Sequence, residues 1–291
     1  MKISELLREE ESTFSLEVFP PKTSEAYTAT AAAAREIAVF RPDFMSVTYG
    51  AGGGTGAYTT QIAAEIQRDF GVPTLAHLTC VSSSREHVKH MLALYRENGI
   101  ENILALRGDL PKDGKLSRDY RYATELVHEI RAQGDFCIGG ACYPEGHIEA
   151  ASRQEDLDHL KEKVDAGLDF LTTQMFFNND VFYSFLFRAR EKGITVPILP
   201  GIMPITSPRQ LQRSVAMSGT DVPRRFRDIV DFFGNDPEGM KQAGIVYAAE
   251  QITDLLANGI RHIHVYTMNK PDVARGIMKC VQPMLHKAWN V

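Results

Sequence analysis

The chain has 291 residues, 44% of them hydrophobic, which is ample for a large core and suits an architecture that stands as one domain at about 250 residues. A net charge of −5 and a sequence pI of about 6.0 argue against nucleic acid or an anionic membrane as the main partner. The start, MKISELLREEE, reads as an acidic amphipathic helix over about 2–10 rather than a signal peptide. No apolar run approaches about 18 residues, so a soluble, cytoplasmic protein is expected.

Strand-length apolar runs then follow at 14–19, 43–48, 73–79, 102–107, 136–142, 169–175, 196–201 and 261–266, with helical patterns between them. In EHVKHMLALYRENG, Val88, Met91, Leu92 and Tyr95 recur at helical spacing, and Gly99 stands where a C-cap belongs. The stretch 202–260 holds Pro204, Pro208, Pro223 and Gly234, is too long for one helix, and reads as two or three helices inserted before the last strand. Strand and helix alternate without a linker or composition break, which predicts one α/β domain over 1–291 with a parallel sheet. The count of eight favours closure into a (β/α)8 TIM barrel over an open doubly wound sheet. So does the mixed face that Ile103, Ala105, Arg107 and Asp109 share by parity, as Ser46 and Thr48 do. No G-x-G-x-x-G follows the first strand, so a Rossmann site is not expected there.

In such a barrel the C-terminal strand ends form one rim, which gathers Glu17, Thr48, His77, Asp109 and Gln174 around one mouth. Glu17 lies between Leu16 and Val18; an apolar setting there raises a carboxyl's pKa and suits a general acid, while a salt-bridged rim residue is the plain alternative. Arg107 and Asp109 in RGDLP are either an ion pair with each other or ligands for a polar ring edge, with Gly108 allowing close approach. The glycine-rich TYGAGGGTG is a weak signal for a phosphate or flat ring. His77 and His147 sit at or beyond strand ends, and Asp156, His159 and Lys163 form one polar stripe on the helix after the fifth strand. That stripe is either a solvated face or a hold for a charged cofactor tail, with Lys163 near a phosphate. Cys80, Cys137, Cys142 and Cys280 show no metal-binding spacing, and the pair His262 and His264 has no evident third ligand, so no metal is expected.

Together, FSLEVFPPKT, DFMSVTYGAGG, LAHLTC, NILALRGDLP, YRYA, ACYPEGHIEA, LKEKVDAGLDFLTTQMFF, PILPGIMPI and HVYTMNK resemble the methylenetetrahydrofolate reductase family, collinearly over 14–270. The resemblance implies a barrel that binds FAD across its rim. It would reduce 5,10-methylenetetrahydrofolate to 5-methyltetrahydrofolate with NADH or NADPH, by hydride transfer through FAD. By position, Glu17 matches the family's general acid and Asp109 the aspartate near flavin and folate. Thr48, Tyr49, His77, Arg107, Gly108, Asp109, Tyr122, Ala123, Tyr143, His147, Asp156, His159 and Lys163 fall at flavin positions. Gln174, Gln210 and Lys270, with Glu17 and Asp109, fall at folate or nicotinamide positions. The chain departs from the pattern at Gly56, where relatives often carry arginine, at Glu162, where some carry a basic residue, and at Lys270, which replaces an arginine and offers no bidentate fork. A homo-oligomer is expected, without the regulatory domain of eukaryotic relatives. A family variant fed electrons by a partner subunit is the competing reading, and a metal-dependent hydrolase would rest on the H-x-H pair alone.

Overall fold

The structure, a computed structural model, describes residues 1–21, 23–49, 56–110, 119–285, 287, 289 and 291. In chain order its elements are α1 (Ile3–Glu9), β1 (Thr13–Val18), α2 (Tyr27–Ala38), β2 (Phe44–Val47), α3 (Gly56–Phe70), β3 (Thr74–Thr79), α4 (Arg85–Glu97) and β4 (Asn102–Leu106). There follow α5 (Ala123–Gln133), β5 (Cys137–Cys142), α6 (Arg153–Asp165), β6 (Phe170–Thr173), α7 (Asn179–Glu191), β7 (Ile198–Leu199) and β8 (Gly201–Ile202). The chain finishes with α8 (Pro208–Ser218), α9 (Arg224–Phe233), α10 (Pro237–Ala257), β9 (His262–Tyr266) and α11 (Pro271–Leu285).

All pairings are parallel, in the order β7-β6-β5-β4-β3-β2-β1-β9-β8. Strands β7 and β8 are the two halves of the predicted seventh strand, parted at Pro200. Proline has no N–H for the ladder, but its carbonyl still accepts from the His264 amide at 3.0 Å. The first half pairs with β6 and the second with β9, and in that way the (β/α)8 barrel closes.

Alternation sorts each strand between two environments. Leu16 and Val18 of β1 belong to an apolar layer that also holds Ile37 of α2 and Ile277 of α11. Ile103 and Ala105 lie in that same outer layer, whereas Leu104 packs inside. The shared face expected for Ile103 and Arg107 therefore does not form: β4 ends at Leu106, and strand parity stops with it. Inside the barrel, Phe44, Leu75, Leu104, Cys137, Phe170 and Leu199 cluster with Ile3 and Leu7 of α1. That helix plugs the N-terminal end of the barrel, where the Ile3 amide donates to Asn102 Oδ1 at 2.8 Å. Gly139 on β5 leaves room for the Phe170 ring; a Cβ there would stand 2.6 Å from it.

The insertion over 202–260 is three helices, α8 to α10. Ser207 and Asp236 accept the Gln210 and Gly239 amides as N-caps, each followed by a first-turn proline. Their apolar faces meet Met175 and Phe177 in a separate cluster with Ile205, Phe226 and Tyr247. Among the described residues no helix is long and apolar enough to cross a membrane.

Candidate active site

Glu17 projects from the end of β1 into the barrel, with its side chain 16% exposed. Its Oε2 accepts from Ser46 Oγ at 2.9 Å, and His264 Nε2 and His77 Nε2 each lie 3.4 Å away. The apolar pocket expected from Leu16 and Val18 is not what the carboxyl meets. Those neighbours face the helices, and the interior face brings Ser46, His77 and His264 from three other strands. Burial by itself raises the Glu17 pKa, but the His264 hydrogen bond, positive charge on His77 and His264, and the Ser46 hydroxyl outweigh it and bring the net below the ordinary value. Burial pushes His77 down to about 4, so at neutral pH that imidazole is uncharged and the lowering rests on His264 and Ser46.

On the next rim segment, Arg107 makes a two-pronged ion pair with Glu149, at 2.6 and 2.9 Å, rather than pairing with Asp109. Asp109 stands exposed at the end of this turn. Gly108 has φ +88°, and a Cβ there would come within 3.0 Å of Thr79 Cβ, so glycine is required by both conformation and space. The Arg107 carbonyl accepts the Cys80 and Val81 amides, which ties the ends of β3 and β4 together.

Beyond β5, Tyr143 and His147 meet edge to face at 4.6 Å. His147 Nδ1 accepts the Glu149 amide at 3.1 Å, so any proton on the neutral ring sits on Nε2. Burial pushes the Tyr143 hydroxyl up to about 12 and raises Asp156. Lys163 Nζ donates to the Ala141 carbonyl at 2.5 Å, and burial lowers its pKa against the pull of Cys142 and Asp156. The polar stripe on α6 therefore divides: Asp156 and Lys163 face the barrel end, while His159 is exposed.

Tyr49 is directed to α4, where its hydroxyl meets His87 Nε2 at 3.0 Å. Gly56 packs against it: a Cβ would approach the Tyr49 hydroxyl to 2.7 Å, so an arginine at 56 would displace that ring. The remainder of the glycine loop, 50–55, lies outside the described residues. Thr48 holds α3 through its carbonyl, which accepts from Thr59 Oγ1 at 2.8 Å. Tyr122 is exposed at the N-cap of α5, with Ala123 the first residue of that helix. Gln174 bonds the Met175 amide through its own Oε1. Gln210 clasps its loop, accepting from Thr206 N and Oγ1 at 3.0 Å and donating to Pro204 O, and Lys270 reaches the same Thr206 hydroxyl at 2.5 Å. Glu162 is exposed.

Ser15, Ser46 and Tyr266 were not singled out as site residues by sequence, although the alternation that puts Glu17 inside also puts Ser15 there. The H-x-H pair is divided along β1: His262 Nδ1 meets Thr13 Oγ1 at 3.1 Å, and His264 Nδ1 meets Ser15 Oγ at 2.8 Å.

These features define a closed βα barrel with a carboxyl–imidazole centre at the C-terminal mouth, the end at which barrel enzymes work. A sequence model of the family "Methylenetetrahydrofolate reductase" matches residues 2–282, and the chain belongs to that family. It is 40% identical over 289 residues to Methylenetetrahydrofolate reductase 1 of Schizosaccharomyces pombe, covering 96% of this chain and 48% of that one. It is 38% identical over 263 residues to the 5,10-methylenetetrahydrofolate reductase of Pectobacterium carotovorum, covering 90% and 88%. The chain thus spans about half the length of the fission-yeast relative and most of the bacterial one. Among solved structures, an uncharacterized protein from Clostridium thermocellum that binds two copies of 5-methyl-5,6,7,8-tetrahydrofolic acid superposes with a TM-score of 0.66 at 13% identity. That match covers 98% of this chain and 99% of the other, and supports the fold.

Proposed function

We propose that this chain reduces 5,10-methylenetetrahydrofolate to 5-methyltetrahydrofolate, with FAD as cofactor, NADH or NADPH as reductant and Glu17 as the general acid. The observation that carries the reading is the setting of Glu17, a carboxyl at the barrel mouth among hydroxyl and imidazole groups, in a chain matched by the family over 2–282.

The residues suit the cofactor. His77 Nε2 is buried with no hydrogen-bond partner among the described residues, and Lys163 holds a half-buried ammonium against the Ala141 carbonyl. A heteroatom-rich ring would satisfy the first and an anionic phosphate the second. On this reading Arg107, Gly108, Tyr143, His147 and Asp156 would contact the same cofactor, with Thr48, Tyr122 and Ala123. Bound FAD supplies the hydride chemistry.

Glu17 gives its proton to the folate nitrogen whose C–N bond must break, since that nitrogen leaves poorly unless protonated. Asp109 faces the positive charge that develops on the opened folate. Gln174, Gln210 and Lys270 orient the folate or the nicotinamide, and the lysine holds a carboxylate as a point charge.

Purified protein should be yellow, with flavin bands at about 380 and 450 nm. Anaerobic NADH or NADPH should bleach them, and methylenetetrahydrofolate should then restore them. A colourless protein that FAD does not reconstitute would remove this reading.

A further inference from the structure

The Glu17 carboxyl has an imidazole behind it whose orientation is set by a serine. Ser15 Oγ lies 3.1 Å from the Ile263 carbonyl and 2.8 Å from His264 Nδ1. A hydroxyl has one hydrogen, and a carbonyl can only accept, so the Ser15 proton is committed to Ile263 and its oxygen accepts from Nδ1. That places an N–H on His264 Nδ1. The opposite nitrogen, Nε2, is the basic atom of the ring, and it faces Glu17 Oε2 at 3.4 Å. Catalytic hydrogen bonds of this length often tighten when substrate binds.

We propose that His264 is a positioning residue for the catalytic proton: locked by Ser15 in one tautomer, it shares a single proton with Glu17 through Nε2 and returns it to the carboxyl for delivery to the folate. The inference rests on the reading of Glu17 as the general acid. The surroundings of Glu17 favour its ionised form, and an ionised carboxyl has no proton to give. With the proton on His264 Nε2 the pair is carboxylate and imidazolium; with the proton on Glu17 it is carboxylic acid and neutral imidazole. Delivery breaks the O–H bond of Glu17 and forms an N–H bond on the folate nitrogen, and the C–N electron pair goes to that nitrogen. Solvent then returns one proton to the pair in each turnover.

The other groups around the pair do not serve. His77 on β3 lies as near to Glu17 Oε2, at 3.4 Å, but its Nε2 makes no hydrogen bond among the described residues and burial keeps it neutral. Ser46 on β2 donates to Glu17 and carries no exchangeable charge. Tyr266 on β9 gives its hydroxyl to the Thr173 carbonyl at 2.5 Å, and burial with the Glu17 charge holds it protonated. Phe44 stacks on the His264 ring at 6.4 Å and Tyr266 meets it edge-on at 5.2 Å, so the imidazole has little freedom to turn.

The test is the pH profile of the folate half-reaction in pre-reduced holoenzyme, for wild type, His264→Gln and Glu17→Gln. The glutamine amide at 264 can still donate to Glu17 but cannot share its proton. The falling limb should therefore move to lower pH, with about tenfold lost for each pH unit of displacement, while the rates converge in acid. Glu17→Gln should be slow at every pH. If Glu17→Gln reduces folate normally, the general-acid reading itself fails. If Glu17→Gln is slow and His264→Gln is only scaled down evenly across pH, the acid stands and the shared proton is wrong. Long-range ¹⁵N spectra of the purified protein read the tautomer without turnover: neutral His264 should carry its proton on Nδ1. A proton on Nε2 in the neutral ring would overturn the proposal. Should His264→Gln fold poorly, Ser15→Ala leaves the ring in place, removes the Nδ1 acceptor and should move the same limb in the same direction.

Discussion

Asp109 and Arg107 are two residues apart in sequence and take different partners in space. Arg107 is held by both oxygens of Glu149, which leaves Asp109 exposed at the mouth instead of neutralised by its neighbour. If Asp109 faces developing charge on the folate, Asp109→Asn should retain FAD and stability and slow folate reduction by roughly 10²–10³, the usual loss of one well-placed electrostatic group. Flavin occupancy and single-turnover rate measured on the same preparation check this. A variant depleted of flavin whose remaining holoenzyme turns over normally would make Asp109 a structural residue. The pairing with Glu149 was not legible in RGD, because the partner comes from beyond β5, some forty residues on. Glu17 shows the same limit: its two sequence neighbours suggested an apolar pocket, but a strand residue's surroundings come from adjacent strands.

At the level of elements, periodicity located the strands to within a residue or two, and the prolines of 202–260 pointed to two or three helices, of which three form. What local pattern could not supply was the division at Pro200, where one predicted strand becomes two halves with different neighbours. Nor did it give α1 a destination. An amphipathic segment at residues 3–9 could lie on any surface, and it fills the bottom of the barrel because Phe44, Leu104 and Phe170 present an apolar floor there. Ile3 is fully buried in that floor. Ile3→Ala should lower unfolding free energy by about 2–5 kcal/mol through lost burial and a residual cavity. Denaturant melts would show this, with flavin reduction by nicotinamide unchanged because the plug and the mouth lie at opposite ends. A loss below about 0.5 kcal/mol, the range of surface changes, would mean that α1 is not docked.

The molecule as a whole couples its stability to the histidine in its mouth. His77 titrates at about 4 in the folded chain against 6.5 for the free group, so the unfolded chain binds more protons between those values. Stability is therefore complete above about pH 6.5 and falls as pH drops toward 4, by on the order of 3 kcal/mol from this group. In His77→Gln that part of the acid limb should flatten, as unfolding curves from pH 4 to 7 would show; an unchanged slope would mean that the imidazole is not buried neutral. As the general acid, Glu17 should act on one half-reaction alone. The most direct measurement is stopped-flow of Glu17→Gln, with reduction of FAD by nicotinamide and its reoxidation by methylenetetrahydrofolate followed separately. Hydride transfer to the flavin should proceed near the wild-type rate, and folate reduction should fall by at least about 10²-fold. Equal loss in both halves, or none in the second, would contradict that role.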